Sequence, residues 1–424
     1  MASPPDRPIG LLHATAMVVG IIIGAAIFVQ PSEINRHVPT VPGVLSVWIA
    51  AGILTLCGAL VCAQLSAAFP RTGGVYVFLK ETLSPAFGFL WGWAMFWSAH
   101  SGIIAASSVI LARYVAWFIP LDDTGIRAVA IAGIVTFSFV NYLGVRQGSM
   151  LQTVVTISKV VAILILLGMA AFLGSRYPLG PAHASAGVPS GSGYPLGPAD
   201  FREFVLAVSA ALFAFGGWHM VTYTAGETRD PVRTIPRALL IGTLTVTALY
   251  VLLNAAYLYL LPISRVIASP RVAADAAQAV AGPRGASLIS ALVILSATGV
   301  LNGVILAGPR TYYAMAREGL AFRWLASLRH AIVLQALWSC ILVATGTYRA
   351  LFTRVIYTEW LFFALMAIGL MRLRGRLAFV PVTFAIAAVI VAAIQIAADP
   401  MQAATGLLIV VLGLPVYRYW HAHH

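Results

Sequence analysis

The segment Ala211-Leu212-Phe213-Ala214-Phe215-Gly216-Gly217-Trp218-His219 decides how this chain is read. It lies inside an apolar run at mid-membrane depth. A Gly-Gly pair between large aromatics is a poor way to continue a helix, because glycine costs about 1 kcal/mol relative to alanine there. Non-helical backbone at that depth is tolerated only where it lines a cavity or is buried in protein.

Composition supplies the membrane. Of 424 residues, 60% are hydrophobic and 9% are charged, whereas soluble domains carry about 25% charged residues. Too few charges exist to cover a soluble surface of this size, so the remaining solvent is lipid. Net charge is +13, but the arginines stand singly at the ends of apolar runs. That pattern anchors membrane spans and excludes a nucleic-acid-binding patch. Cys57, Cys62 and Cys340 lie inside apolar runs without metal-type spacing and read as small buried hydrophobes. The first apolar stretch is too long for a signal peptide and reads as a retained span.

A bilayer core takes about 20 apolar residues per helix. Ending apolar runs at Arg, Pro and Gly clusters predicts twelve spans, near 10–36, 42–68, 84–118, 125–144, 150–174, 201–226, 234–261, 286–314, 328–346, 354–371, 378–397 and 401–419. With the N-terminus inside, fifteen basic residues fall on the inner side and ten on the outer, apart from Lys159. This bias predicts a multi-pass protein of the cell (inner) membrane with both termini cytoplasmic. Residues 175–200 carry YPLGPA twice, at 177–182 and 194–199, and read as a flexible outer loop. Residues 265–282 read as a short surface helix or a plain connector.

Span one reads Met17-Val-Val-Gly20-Ile-Ile-Ile23-Gly24-Ala25-Ala26-Ile27-Phe28. Gly20 and Gly24 alone fit close helix packing. Glycine-interrupted segments in corresponding positions of two halves point instead to a binding site, and spans one and six are the first helices of two five-span units. A half-helix N-terminus offers unpaired N–H groups to a carboxylate, and a half-helix C-terminus offers carbonyls to an ammonium. Two such helices side by side suit an amino acid's α-groups without a charged side chain. The candidate solute-binding residues are therefore Ile23, Gly24, Ala25, Ala26 and Ile27 with Phe213, Ala214, Phe215, Gly216, Gly217, Trp218 and His219.

Lys159 is the one basic residue deep in an apolar run. It stands about 15 Å into span five, too deep for easy snorkelling, and intramembrane ionisable groups are functional candidates by default. A fixed ammonium there would replace a bound metal cation and brace span one against span five. His219 is read as a hydrogen-bonded structural histidine, with proton coupling left open by its place at the break. Glu359 is read as an interfacial carboxylate near the outer end of span ten. Paired inward carboxylates, metal clusters and nucleophile–base spacings are missing, so no enzyme, metal or cofactor is predicted.

These residues resemble a known family. Gly20-x-x-x-Gly24-Ala25-Ala26-Ile27-Phe28 is similar to the G-x-x-x-G-[ST]-G-I-F signature of the amino acid–polyamine–organocation (APC) superfamily. Phe213 to His219, followed by Glu227-x-x-Asp230-Pro231-x-Arg233-x-Ile235-Pro236, resembles the L-type amino acid transporter branch, in its bacterial form. Pro70-Arg71-Thr72-Gly73-Gly74-Val75-Tyr76 and Ala316-Arg317-Glu318-Gly319 match as well. The resemblance implies an all-α polytopic LeuT-type fold of two inverted five-helix repeats, 8–174 and 201–372, with helices 1 and 6 broken and 373–424 forming spans eleven and twelve. It implies sodium-independent exchange of small or neutral amino acids, with proton-coupled uptake of amino acids or amines as the alternative. By position Phe213 would be the aromatic gate, Lys159 the sodium substitute and Asn302 a supporting residue. Ala25 stands where Ser or Thr is usual, Ala26 where Gly is usual and His219 where Asn is common. The loop after span three carries no cysteine, so no disulfide-linked heavy-chain partner is expected.

Overall fold

The computed structural model describes residues 9–70, 73–143, 148–174, 198–317 and 319–423. Arg71, Thr72, Glu318 and the predicted loop up to residue 197, including nearly all of its YPLGPA repeat, lie outside these residues.

The chain enters as α1 (Leu11–Ile22), then a 3-10 turn at Ala26–Phe28 and α2 (Gln30–His37). Predicted span one is thus two half-helices around an unwound centre. The long α3 (Val41–Ala68) starts at Thr40, whose hydroxyl accepts from the Gly43 amide at 3.2 Å, a side-chain cap for an otherwise unpaired donor. Next come α4 (Val75–Thr82), α5 (Pro85–Ala94), a π-helical stretch at Met95–His100, α6 (Ser101–Val115), α7 (Asp123–Tyr142) and α8 (Gly148–Leu173).

The second half opens with α9 (Pro198–Ala214) and a 3-10 helix, Trp218–Glu227, bent by 41° from α9 across the glycine pair. Then follow α10 (Pro231–Leu260), α11 (Ile263–Ala268), α12 (Val272–Arg317), α13 (Leu328–Thr345) and α14 (Tyr348–Arg374). The chain ends in α15 (Phe379–Ala398), α16 (Pro400–Val411) and α17 (Gly413–His423). α12 is interrupted at Gly282, whose φ is 64°, so its first ten residues form a separate arm. This arm and α11 occupy the stretch read as a surface helix or connector. α11 packs on α2, where Arg36 Nη2 donates to the Ile267 carbonyl at 3.2 Å.

Among the described residues, nine helices are long and apolar enough to cross a membrane, and the bent pair makes a tenth. The expected twelve falls to ten on this test. α1 has only 12 residues because its span is broken, and Lys159–Leu173 is likewise short. The outward surfaces of α7, α10, α13 and α15 expose Phe139, Leu244, Leu337 and Ile386, each more than half exposed. Such an apolar girdle around a buried core is the inverse of a soluble surface and fits lipid contact. The protein is a multi-pass membrane protein.

Inside the girdle, α1 packs on α10, α10 on α3, α12 on α6 and α8, and α14 on α15 and α6. Gly73 and Gly74, both at positive φ (130° and 53°), turn the chain into α4. A β-carbon on Gly74 would lie 2.1 Å from the Tyr223 ring. This turn therefore needs glycine both for its backbone and for the closeness of the 3-10 helix after α9.

Candidate functional site

The two breaks meet. At the end of α1 the last carbonyls lose their helical donors, and side chains from other helices replace them. Lys159 Nζ, on α8, donates to the Gly20 carbonyl at 3.1 Å. The Tyr250 hydroxyl, on α10, lies 3.0 Å from the Ile22 carbonyl and 3.0 Å from that of Ala214, the last residue of α9. One phenol thus sits between the C-terminal ends of both half-helices. A lysine at such an end also complements the partial negative charge of the helix terminus.

Beyond Ile22 the chain is unwound at Ile23–Ala25, with the Gly24 amide turned back to the Ile22 carbonyl at 2.6 Å. Among the described residues, the amides of Ala25, Ala26 and Ile27 have no backbone acceptor. They open the short helical turn that leads into α2 and are the kind of donor group that takes an anion. On the other strand of the pair, Gly217 adopts the left-handed conformation (φ 88°) and lies against Ile21 of α1. Unpaired amides beside a carbonyl end fit a zwitterion: carboxylate to the first, ammonium to the second.

Of the predicted residues, Ala214 is joined to the end of α1 through Tyr250, and Gly217 lies against Ile21 of α1. The Phe213 ring packs tilted against Phe352 of α14, with centroids 5.6 Å apart. Phe215 stays at the junction, its ring 5.0 Å from that of Tyr250 and 6.2 Å from that of Trp48. Trp218 packs on Phe363 at 5.0 Å. Asn302 Oδ1 accepts from Asn141 Nδ2 of α7 at 2.8 Å. Val300, two residues earlier, is the α12 residue that abuts Gly24.

Two readings of single residues are corrected. His219 was expected to be a hydrogen-bonded structural residue. Instead it is buried, and neither ring nitrogen has a partner among the described residues. Trp91, Trp218, Tyr223 and Phe363 surround it with ring contacts of 5.2–5.8 Å, and none of these contacts is a hydrogen bond to the imidazole. Glu359 was expected at the interface, yet it is 4% exposed. The reason is where α14 begins: six residues before the predicted span, at Tyr348, which sets Glu359 about 16 Å along the helix.

Tyr250 was missed altogether, as was Tyr114, whose hydroxyl donates to the Phe28 carbonyl at 2.8 Å. The one available signal was a phenol in the middle of an apolar span, since a buried tyrosine hydroxyl needs a partner. Replacing Tyr250 by Phe removes the hydroxyl shared by the two carbonyls; Ile22 keeps the Gly24 amide, and the Ala214 carbonyl loses its side-chain donor, which costs about 1–3 kcal/mol when unsatisfied. The expected result is a lower melting temperature in detergent together with reduced solute binding.

Contacts close over the break from both faces. On the face where α2 ends, Glu33 pairs with Arg349 and with Arg36 (3.3 Å), and His37 Nδ1 lies 2.6 Å from Glu203 of α9. On the N-terminal face, Ile9 pairs with Thr228 as an isolated parallel bridge, the Arg229 amide donating to the Ile9 carbonyl at 2.9 Å. The segment before α1 is thereby tied to the segment after the 3-10 helix.

Comparison with known proteins agrees with this geometry. The profile of the amino acid permease family matches residues 9–413. The serine/threonine exchanger SteT of Bacillus subtilis is 28% identical over 97% of this chain and 96% of its own length. The human b(0,+)-type amino acid transporter 1 is 28% identical over 87% and 76%. The human large neutral amino acids transporter small subunit 2 is 28% identical over 98% and 81%. The chain belongs to the amino acid permease family of the APC superfamily, in its L-type branch.

Proposed function

We propose that this protein carries small or neutral amino acids across the cell membrane by alternating access, exchanging them without sodium. The observation that supports this most is the junction at Tyr250, where the ends of α1 and α9 share a hydroxyl beside unpaired amides at Ala25–Ile27. That junction has complementary places for a carboxylate and an ammonium and has no acidic side chain in either broken span at its centre. The relatives, whose names describe exchange or transport of amino acids, support the substrate class.

Lys159 supports the independence from sodium. Its ammonium reaches the Gly20 carbonyl, an oxygen of the type that coordinates a hard cation, and a covalently held charge makes a dissociable one unnecessary. In this reading Phe213 and Phe352 are the outer aromatic gate, and the Glu33–Arg349 and His37–Glu203 pairs lock it. The Ile9–Thr228 contact is the inner closure, both termini are cytoplasmic, and 8–174 and 201–372 are the inverted repeats. The chain works without a disulfide-linked heavy partner.

Counterflow into proteoliposomes tests the proposal. Labelled alanine, serine or leucine should accumulate transiently against unlabelled internal substrate, at the same rate in sodium and in choline buffers. Uptake that requires sodium overturns the role given to Lys159. Failure of all twenty amino acids to elicit counterflow overturns the function.

A further inference from the structure

Between α14 and α15, on the face where α2 ends, lies a cavity of about 230 Å³. Pockets for drug-sized ligands measure about 300–1,000 Å³, so this one suits a smaller solute. Its apolar wall includes Leu206 of α9 and Phe352 of α14. The Phe352 ring also packs on Phe213, 5.6 Å away, so the cavity stands against the aromatic pair that the transport reading takes as a gate. Transport through the Tyr250 junction gives this space no task.

Two helix ends of opposite sign meet in it. α14 starts here: the Thr347 hydroxyl caps it by accepting from the Ala350 amide at 3.3 Å, and Thr347, Arg349 and Ala350 all line the cavity. The N-terminus of a helix carries a partial positive charge. Arg349 adds a full one. Its Nε and Nη2 both go to one oxygen of Glu33, and a guanidinium has five N–H donors, so it keeps donors for a second anion. His37, whose Nδ1 is engaged by Glu203, lines the cavity as well.

α15 ends here, with Asp399 at its C-cap and Ala398 before it. The last carbonyls of a helix lack intrahelical donors and carry a partial negative charge. Gln395 stands one turn earlier on the same face of α15. Its side chain lines the cavity, is 4% exposed, and has no hydrogen-bond partner among the described residues. Buried polar groups are ordinarily paired, and the cavity is the place from which a partner for this amide can come.

An anion site at one end, a cation site at the other and an apolar wall beside them match an α-amino acid. We propose that this cavity is a second, peripheral binding site for an amino acid zwitterion. Its carboxylate lies toward Arg349 and the start of α14, its ammonium toward Asp399, Gln395 and the end of α15. The inference rests on the amino acid reading above and adds a site to it. Occupancy has a consequence for the lock, because the bound carboxylate competes with Glu33 for Arg349. Glu33 retains Arg36, at 3.3 Å, so releasing Arg349 does not leave the acid unpaired. Arg349 lies about one turn before Phe352 on α14, which links this change of partners to the Phe213–Phe352 pair. An arriving amino acid thus loosens the closure in front of the next one.

Equilibrium dialysis of the full chain in detergent against labelled leucine tests this. Two leucines per chain are expected at saturation. Gln395→Leu keeps most of the volume and removes the amide. It should weaken the second leucine by about 10- to 100-fold, the factor for one hydrogen bond to a charged group. Ala398→Trp should fill the cavity and leave one leucine per chain. Glu33→Gln removes the competitor for Arg349 and should tighten the second leucine, a gain that a merely structural role for these residues does not produce. One leucine per chain in the wild type overturns the peripheral site and leaves the exchange reading standing; none at all overturns both. Two leucines undiminished in Gln395→Leu and Ala398→Trp put the second site elsewhere and overturn this one. An unchanged second affinity in Glu33→Gln overturns the link to the lock. The zwitterionic headgroup of phosphatidylethanolamine carries the same pair of charges. If native mass spectra show that lipid retained by the wild type and lost from Ala398→Trp, with no second leucine bound, the occupant is a lipid and the amino acid is overturned. The wild-type stoichiometry decides the matter even where a variant does not fold.

Discussion

Replacing Lys159 with alanine is expected to reduce amino acid counterflow in proteoliposomes by about 10- to 100-fold. The magnitude follows from the bond lost. A hydrogen bond from a charged donor contributes about 1.5–3 kcal/mol, and each 1.4 kcal/mol is about a factor of ten in an equilibrium. Here the acceptor is the Gly20 carbonyl near the end of α1, and Lys159 is buried against it. Without the ammonium that carbonyl faces a cavity, and α1 loses one of the two groups that define where it stops. Lys159→Met separates charge from volume, because methionine fills most of the space without a donor. If methionine restores counterflow, the lysine acts by packing; equal loss in both variants supports the charge. Melting temperatures of the same samples show whether the fold or the transport cycle has been lost.

The sequence made some of this arrangement readable and hid the rest for identifiable reasons. The Gly216-Gly217 pair is a local signal, and the structure breaks at that pair. Twelve apolar runs were visible because a bilayer imposes a length on each helix, although breaking span one leaves α1 too short to count as a crossing. Depth along a helix was less visible. Placing the start of α14 six residues late moved Glu359 from the interior to the interface, and with it the whole question of a buried carboxylate. Partnership was not visible at all. Nothing in the neighbourhood of Tyr250 announces that its hydroxyl lies between carbonyls 228 and 36 residues away, and the absence of partners for His219 depends on four rings from three separate elements. Local backbone preference is written in the order of residues, whereas hydrogen-bond satisfaction is a property of the assembled bundle.

Gly217→Ala and Gly24→Ala, which look alike in the sequence, are expected to differ sharply. Gly217 has φ 88°, and a β-carbon there would lie 2.6 Å from Ile21 Cγ2 on α1. The left-handed backbone alone costs a residue with a β-carbon about 1–2 kcal/mol, and the overlap adds to it by forcing the two half-helices apart. Loss of most counterflow, together with a lower melting temperature, is the expected result. At Gly24 a methyl group meets nothing closer than 3.8 Å, with the Ile22 carbonyl, the Ala26 amide and Val300 in ordinary contact, and its backbone is not left-handed. Gly24→Ala should therefore keep both stability and transport within a few-fold of wild type, and a severe loss there would show that the site needs the space in another conformation. The contrast says how each helix is broken. In the second half the break is written locally, in a glycine whose conformation and closeness no other residue tolerates. In the first half the chain runs Gly24-Ala25-Ala26, good enough material for a helix, and the break is imposed from outside by Lys159 and Tyr250, which take the carbonyls that the next turn would have used. Alanines in place of the more usual residues at 25 and 26 are compatible with an open first helix for that reason.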